Sequence, residues 1–225
     1  MTEREQRDRM LVVFGRPGAG KSTVSEAAVR LLGDEESSAG MMNANNFLCC
    51  YLDLDVCVPQ WMRDNFAKGI YPTLNERTAF ISNACDYVTN EIKSTKGADQ
   101  SGNKTLVVII SFSFVNTDMR VEFRNRFPHS EWILVDTSKD VAEERILSRE
   151  DHFYKGSSGT GTADANSDQA EINTNKANED SNTSDEDNSE WEFKPVDYPH
   201  VILDGNEEVA INAQKIVDVI SKSFT

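Results

Sequence analysis

Residues Gly15-Arg16-Pro17-Gly18-Ala19-Gly20-Lys21-Ser22, followed by Thr23, fit the pattern G-x-x-x-x-G-K-[ST]. The flanking segments give this match its force. Met10-Leu11-Val12-Val13-Phe14 is an unbroken apolar run of the kind that forms a strand buried in a parallel sheet. From Lys21 to Leu32, the residues Val24, Ala27, Ala28, Leu31 and Leu32 recur at helical spacing, and Gly33 reads as a helix stop. The order is therefore strand, glycine turn, helix. Glycines let the turn curl until successive N–H groups point inward. The helix N-terminus adds partial positive charge at the same place. Such a turn cradles phosphates, with the lysine reaching the β- and γ-phosphates and the hydroxyl sitting on Mg²⁺. Gly15 to Thr23 are thus expected to bind the phosphate tail of ATP, with GTP left open. Lys21 is the catalytic cation, and Ser22 is a metal-holding residue.

The rest of the chain supplies a sheet for that turn. Strands are expected at Met10–Phe14, Phe47–Leu52, Thr105–Ser111, Glu131–Val135 and His200–Leu203. Helical patterns fall between them, at Gly20–Leu32, Asn75–Lys93, Asp118–Phe127, Lys139–Arg149 and Glu207–Ser223. This alternation predicts a three-layer α/β/α sandwich around a five-stranded parallel sheet, a P-loop NTPase fold. A length of 225 residues suits a single domain, 1–225.

The formal net charge of −15 disfavours nucleic acid as a partner, because phosphate backbones attract basic surfaces. Much of that charge is local. Residues 156–190 hold nine acids, one base, one large aliphatic side chain (Ile172) and no aromatic, a net −8 that leaves −7 for the remainder. A segment of this composition cannot bury enough apolar surface to offset its ordering entropy, so a disordered acidic insert is expected at 156–190. It reads as a tolerated surface extension, because lengthening a floppy loop adds little closure entropy. No apolar run approaches membrane-span length. Residues 1–9 read as a flexible, charged N-terminus without an apolar signal region, so a soluble cytoplasmic protein is the expectation. Monomer and homodimer both remain open. Cys49, Cys50, Cys57 and Cys85 form no C-x-x-C pair and are read as reduced, mostly buried thiols.

The second strand candidate ends in Asp53-Leu54-Asp55, which would aim carboxylates into the crevice where α/β sheets bind ligands. Period-two geometry sets both acids on one side of an extended chain. Asp53 is the candidate to hold Mg²⁺ through water, and Asp55 the candidate base for an attacking hydroxyl. The third strand ends at Ser111 with no acid following, although an acid there is the usual magnesium holder of switch and motor NTPases. That absence shifts weight toward kinases of small metabolites. Arg145 and Arg149, four apart on one helix face, are candidates to neutralise the transferred phosphoryl group. Arg77, Arg120 and Arg124 are candidates to grasp an anionic acceptor.

The phosphate loop, the D-x-D and Arg145-x-x-x-Arg149-x-x-His152-Phe153-x-Lys155 together resemble the gluconate kinase family of P-loop small-molecule kinases. The spacing of Pro59, Gly69 and Arg77, and the run Ser113-Phe114-Val115-Asn116 followed by Arg120 and Arg124, are similar to further segments of that family. The resemblance implies a nucleoside-monophosphate-kinase-like fold with a mobile lid, a region at 151–195 that would contain the acidic insert. It also implies γ-phosphoryl transfer from ATP to a hydroxyl of a small sugar acid, D-gluconate first. Three positions depart from the family pattern: Leu54 replaces a glycine, Val58 a histidine and Asn116 a lysine. Shikimate kinase and adenylylsulfate kinase share the same plan. A nucleotide or nucleoside kinase, or a nucleotide-binding module without acceptor chemistry, also fits these residues.

Overall fold

A computed structural model describes residues 8–33, 47–99, 104–148 and 192–222. Five strands form one sheet, β1 (Arg9–Phe14), β2 (Phe47–Asp53), β3 (Thr105–Phe112), β4 (Glu131–Asp136) and β5 (Val201–Asp204), in the spatial order β2-β3-β1-β4-β5. Every pairing is parallel, and each strand lies within one residue of its expected bounds. The expected α/β sandwich is the observed one.

The helices are α1 (Lys21–Gly33), α2 (Gln60–Phe66), α3 (Leu74–Ala98), α4 (Thr117–Arg126), α5 (Lys139–Leu147) and α6 (Val209–Lys222). Alternation along β1 divides the core in two. Val12 and Phe14 face Phe80, Ile81, Ala84 and Val88 of α3 and Phe123 of α4. Leu11 and Val13 face Val24 and Ala28 of α1 and Ile216 and Ile220 of α6. β3, at the sheet's interior, is buried at all its positions. That is why it reads as a continuous apolar run rather than an alternating one. Phe14, Phe114, Phe123 and Trp132 meet edge-on, with centroids 5.1 Å apart for Phe14–Trp132, Phe114–Trp132 and Phe114–Phe123. Such pairs contribute roughly 0.5–1.5 kcal/mol each beyond the area they bury.

The structure corrects several expectations. α3 begins at a capping box in which the Glu76 N–H donates to the Thr73 hydroxyl while the Thr73 N–H donates to the Glu76 carboxylate, and it runs to Ala98 instead of stopping at Lys93. Its last turns are polar and solvent-facing, so apolar periodicity could not report them. The short α2 and a 3-10 turn at Leu54–Cys57 have no counterpart in the expected elements. Asp8 and Arg9 were expected in a flexible N-terminus. Instead Arg9 opens β1 and is ion-paired to Glu131, while the Asp8 carboxylate accepts from the Leu106 N–H at 3.1 Å. The cysteines are free thiols, but only Cys85 is buried, and Cys49 is exposed because β2 is an edge strand. The acidic insert, most of the lid region and Arg149 lie outside the described residues.

Candidate active site

The phosphate loop leaves the C-terminal end of β1 and enters α1 at Lys21. Its backbone requires two of its glycines outright. Gly18 has φ +82°, and a Cβ there would stand 2.3 Å from the Ala142 carbonyl oxygen of α5. Gly15 has φ +148°, and a Cβ would stand 2.5 Å from the Val135 carbonyl oxygen of β4. The loop is thus packed against its neighbours on its outer side. The Lys21 ammonium folds back over the turn and donates to the Arg16 carbonyl at 3.0 Å, and the Ala19 N–H donates to that same carbonyl at 3.1 Å.

Beside the loop lies a group of side-chain oxygens. The Ser22 hydroxyl donates to Asp53 Oδ2 at 2.7 Å, which brings together the two residues expected to hold a metal. The Tyr51 hydroxyl lies 3.4 Å from the same carboxylate oxygen and 2.9 Å from Ser111 Oγ, and Ser111 Oγ is 3.5 Å from Ser22 Oγ. Burial first, and then the Asp53 charge, pushes the Tyr51 phenol up to about 12 against the Ser111 hydrogen bond, so it stays a donor at neutral pH. The residues fit a hard divalent cation. Ser22 offers lone pairs once its hydrogen is turned to Asp53, and oxygen is the ligand such ions take.

Asp55 departs from the expected geometry. The chain does not continue extended past Asp53 but turns into the 3-10 segment. There Asp53 Oδ1 accepts from the Asp55 N–H at 3.0 Å, and the Asp55 carbonyl accepts from the Val58 N–H and the Arg63 guanidinium. Period two therefore ends at Asp53, because an aspartate capping its own turn competes with strand pairing.

The arginines divide sharply. Arg120 is 1% exposed. It donates to the carbonyls of Phe114 (2.6 Å), Val115 (3.0 Å), Lys194 (2.9 Å) and Pro195 (2.9 Å), and lies 4.5 Å from the centre of the Phe193 ring. Phe114 presents its carbonyl from a left-handed backbone at φ +45°, a conformation that costs a non-glycine residue about 1 kcal/mol. Arg120 is thus a clamp on the returning chain at 193–195, and its donors are committed to backbone rather than to an acceptor. Arg77 is 6% exposed, pairs with Asp118 at 2.9 Å, which ties α3 to α4, and donates to the Pro72 carbonyl at 2.9 Å. Arg124 lies 4.0 Å from the centre of the Tyr198 ring, beside a cavity of about 370 Å³ also lined by Pro128, Ser130 and Trp132, at the edge where β4 begins and away from the loop. Arg145 donates to the Gly205 carbonyl at 3.1 Å in the β5–α6 turn. Arg16 lies 5.7 Å from the centre of the Phe193 ring.

Sequence reasoning missed Tyr51 and Phe193. Tyr51 carried a signal, since it stands two residues before Asp53 and shares its strand face. Phe193 carried none, because its contacts span the sequence from Phe14 to Arg120.

No protein-family model matches the chain, and no curated protein matches its sequence. Solved structures do match in shape. One is a sugar kinase from Janibacter sp. HTCC2649, at TM-score 0.59 and 15% identity, covering 95% of each chain. Another is a gluconokinase from Sinorhizobium meliloti 1021, at TM-score 0.53 and 14% identity, covering 98% of this chain and 97% of that one. A third is the APS kinase of Mycobacterium tuberculosis in complex with AMPPNP and APS, at TM-score 0.56 and 14% identity, covering 96% and 98%. With the all-parallel five-stranded sheet, this likeness establishes an α/β P-loop NTPase fold for the chain.

Proposed function

We propose that the chain is an ATP-dependent phosphotransferase acting on a hydroxyl of a small metabolite, gluconokinase-like, with D-gluconate as the first acceptor to test. The single observation that carries this reading is the 2.7 Å bond from Ser22 to Asp53, which joins the start of α1 to the end of β2 directly behind the glycine loop. A loop that only stabilised the fold would not need a hydroxyl–carboxylate pair facing the phosphate cradle.

In this reading the inward N–H groups of Gly15 to Thr23 hold the phosphate oxygens, and Lys21 swings from the Arg16 carbonyl to the β- and γ-phosphates. Ser22 and Asp53 would hold Mg²⁺, which when bound neutralises charge on the phosphates. Asp55 takes the proton of the acceptor hydroxyl as that oxygen bonds to the γ-phosphorus and the bridge to the β-phosphate breaks. Arg149 stabilises charge on the transferred group, and the lid excludes water to suppress ATP hydrolysis. A second reading is a nucleotide-binding module without acceptor chemistry. It is favoured by one observation: Arg77 and Arg120 are committed to Asp118 and to backbone carbonyls.

A coupled ADP-release assay over sugar acids, shikimate, adenylylsulfate and nucleotides tests both. Turnover with one sugar acid supports the first reading. Turnover only with adenylylsulfate or a nucleotide moves the acceptor class, and tight ATP binding without acceptor-stimulated turnover supports the module.

A further inference from the structure

Tyr51 belongs neither to the phosphate loop nor to the lid, yet its hydroxyl closes a ring of four oxygens around the end of β2. Tyr51 and Asp53 are two apart on that strand and share its face. Ser111 is the register partner of Asp53 on β3. Around the ring the separations are 2.7 Å from Ser22 to Asp53, 3.4 Å from Asp53 to Tyr51, 2.9 Å from Tyr51 to Ser111 and 3.5 Å from Ser111 back to Ser22.

The hydrogens in such a ring are not free to point anywhere. A carboxylate only accepts, whereas each hydroxyl must donate its one hydrogen somewhere. Asp53 therefore draws the hydrogens of Ser22 and Tyr51. Ser111 is fully buried, so leaving its hydroxyl unpaired would be costly, and the Tyr51 oxygen is the acceptor within best reach. The outcome is that the Ser22 hydrogen is fixed on Asp53 and its lone pairs are turned away from that carboxylate. Without Tyr51 the carboxylate would lose a partner, and without Ser111 the Tyr51 hydroxyl would lose its nearest one, so in either case the ring would no longer have a single arrangement.

We infer that Tyr51 and Ser111 are positioning residues that hold Asp53 and Ser22 in the arrangement a divalent cation requires, and that they stand in for the missing acid after β3 through neutral hydroxyls. The inference rests on the nucleotide reading above and deepens it. One carboxylate in place of two leaves the cation to be held mostly by phosphate and water oxygens, as Mg²⁺ accepts and a softer ion would not. Residues behind metal ligands commonly change metal affinity by about 10–100-fold when altered.

The test is titration calorimetry of the full chain with AMPPNP, at a series of Mg²⁺ concentrations, for Tyr51→Phe, Ser111→Ala and the double variant. Tyr51→Phe keeps the aromatic side chain and removes only its hydroxyl, which opens the ring of oxygens. The Mg²⁺ concentration giving half-maximal nucleotide binding is expected to rise about 10-fold in each single variant. The double variant is expected to be little worse than either, because both act through one ring. Binding of AMPPNP with EDTA present should stay within about twofold of the native chain, since the phosphate loop itself is unchanged. An unchanged Mg²⁺ midpoint in both single variants overturns the inference, as does an equal loss of affinity with and without Mg²⁺, which marks a structural role. If the native chain binds AMPPNP neither with nor without Mg²⁺, the nucleotide reading falls and this inference with it; if it binds equally with and without Mg²⁺, this inference falls alone.

Discussion

Two rims of the same crevice use charged side chains in opposite ways. On the rim formed by α1 and the ends of β2 and β3, Ser22, Asp53, Tyr51 and Ser111 hydrogen-bond to one another. On the α3–α4 rim, Arg77 and Arg120 are buried and turn their donors inward, onto Asp118 and a set of backbone carbonyls. The contrast teaches that an arginine near a crevice becomes a ligand-binding group only if the surrounding backbone leaves it donors. A left-handed turn at Phe114 and a returning chain at Lys194–Pro195 remove that freedom from Arg120.

The contrast can be broken most forcefully on the first rim. Lys21→Ala should lower ADP release by 10³-fold or more, as the loss of a cation aimed at developing phosphoryl charge does; unchanged turnover would remove the first rim from the chemistry. The next effect is on the second rim. Arg120→Ala should cost about 3 kcal/mol of stability, because four carbonyls lose a charged donor, and a chain of this size should then melt roughly 6–12 °C lower by calorimetry. A variant that melts normally but loses acceptor binding would turn Arg120 back into a substrate residue. A smaller effect is set by pH. Burial raises the Cys85 thiol from 9.0 to about 12, so the folded chain keeps a proton that the unfolded chain gives up. That contribution is full below pH 9 and fades as pH climbs toward 12, and a urea-midpoint profile of Cys85→Ala should fall less steeply across that window. The smallest effect belongs to Arg124→Ala, which removes a cation from the Tyr198 ring and should cost no more than about 1 kcal/mol. A larger loss would place Arg124 with the locked pair.

Much of the fold was legible because strands buried on both faces must be apolar throughout, as Leu106 to Ile110 are, and because the glycine loop dictates its own flanks. The short α2 was not. Seven residues starting after Pro59 offer too few turns for periodicity to register. The site was legible where function is written in local spacing, as in Gly15 to Ser22 and Asp53. It was not legible where a residue's role depends on distant backbone. Arg120 looked like a substrate arginine until carbonyls at Lys194 and Pro195, far along the chain, were found to hold it. Asp53-Leu54-Asp55 hides its geometry for a nearer reason, since strand alternation stops at Asp53, the residue that caps the turn.

The grip of Arg120 on Lys194 and Pro195 has a mechanical consequence. Lys194 and Pro195 are fastened to α4 and to the Val115 carbonyl ahead of β5, so a pull applied at Glu192 is borne at that mooring before it reaches Val201. Glu192 is exposed and lies outside that mooring, so substitution there should carry little structural risk for the sheet.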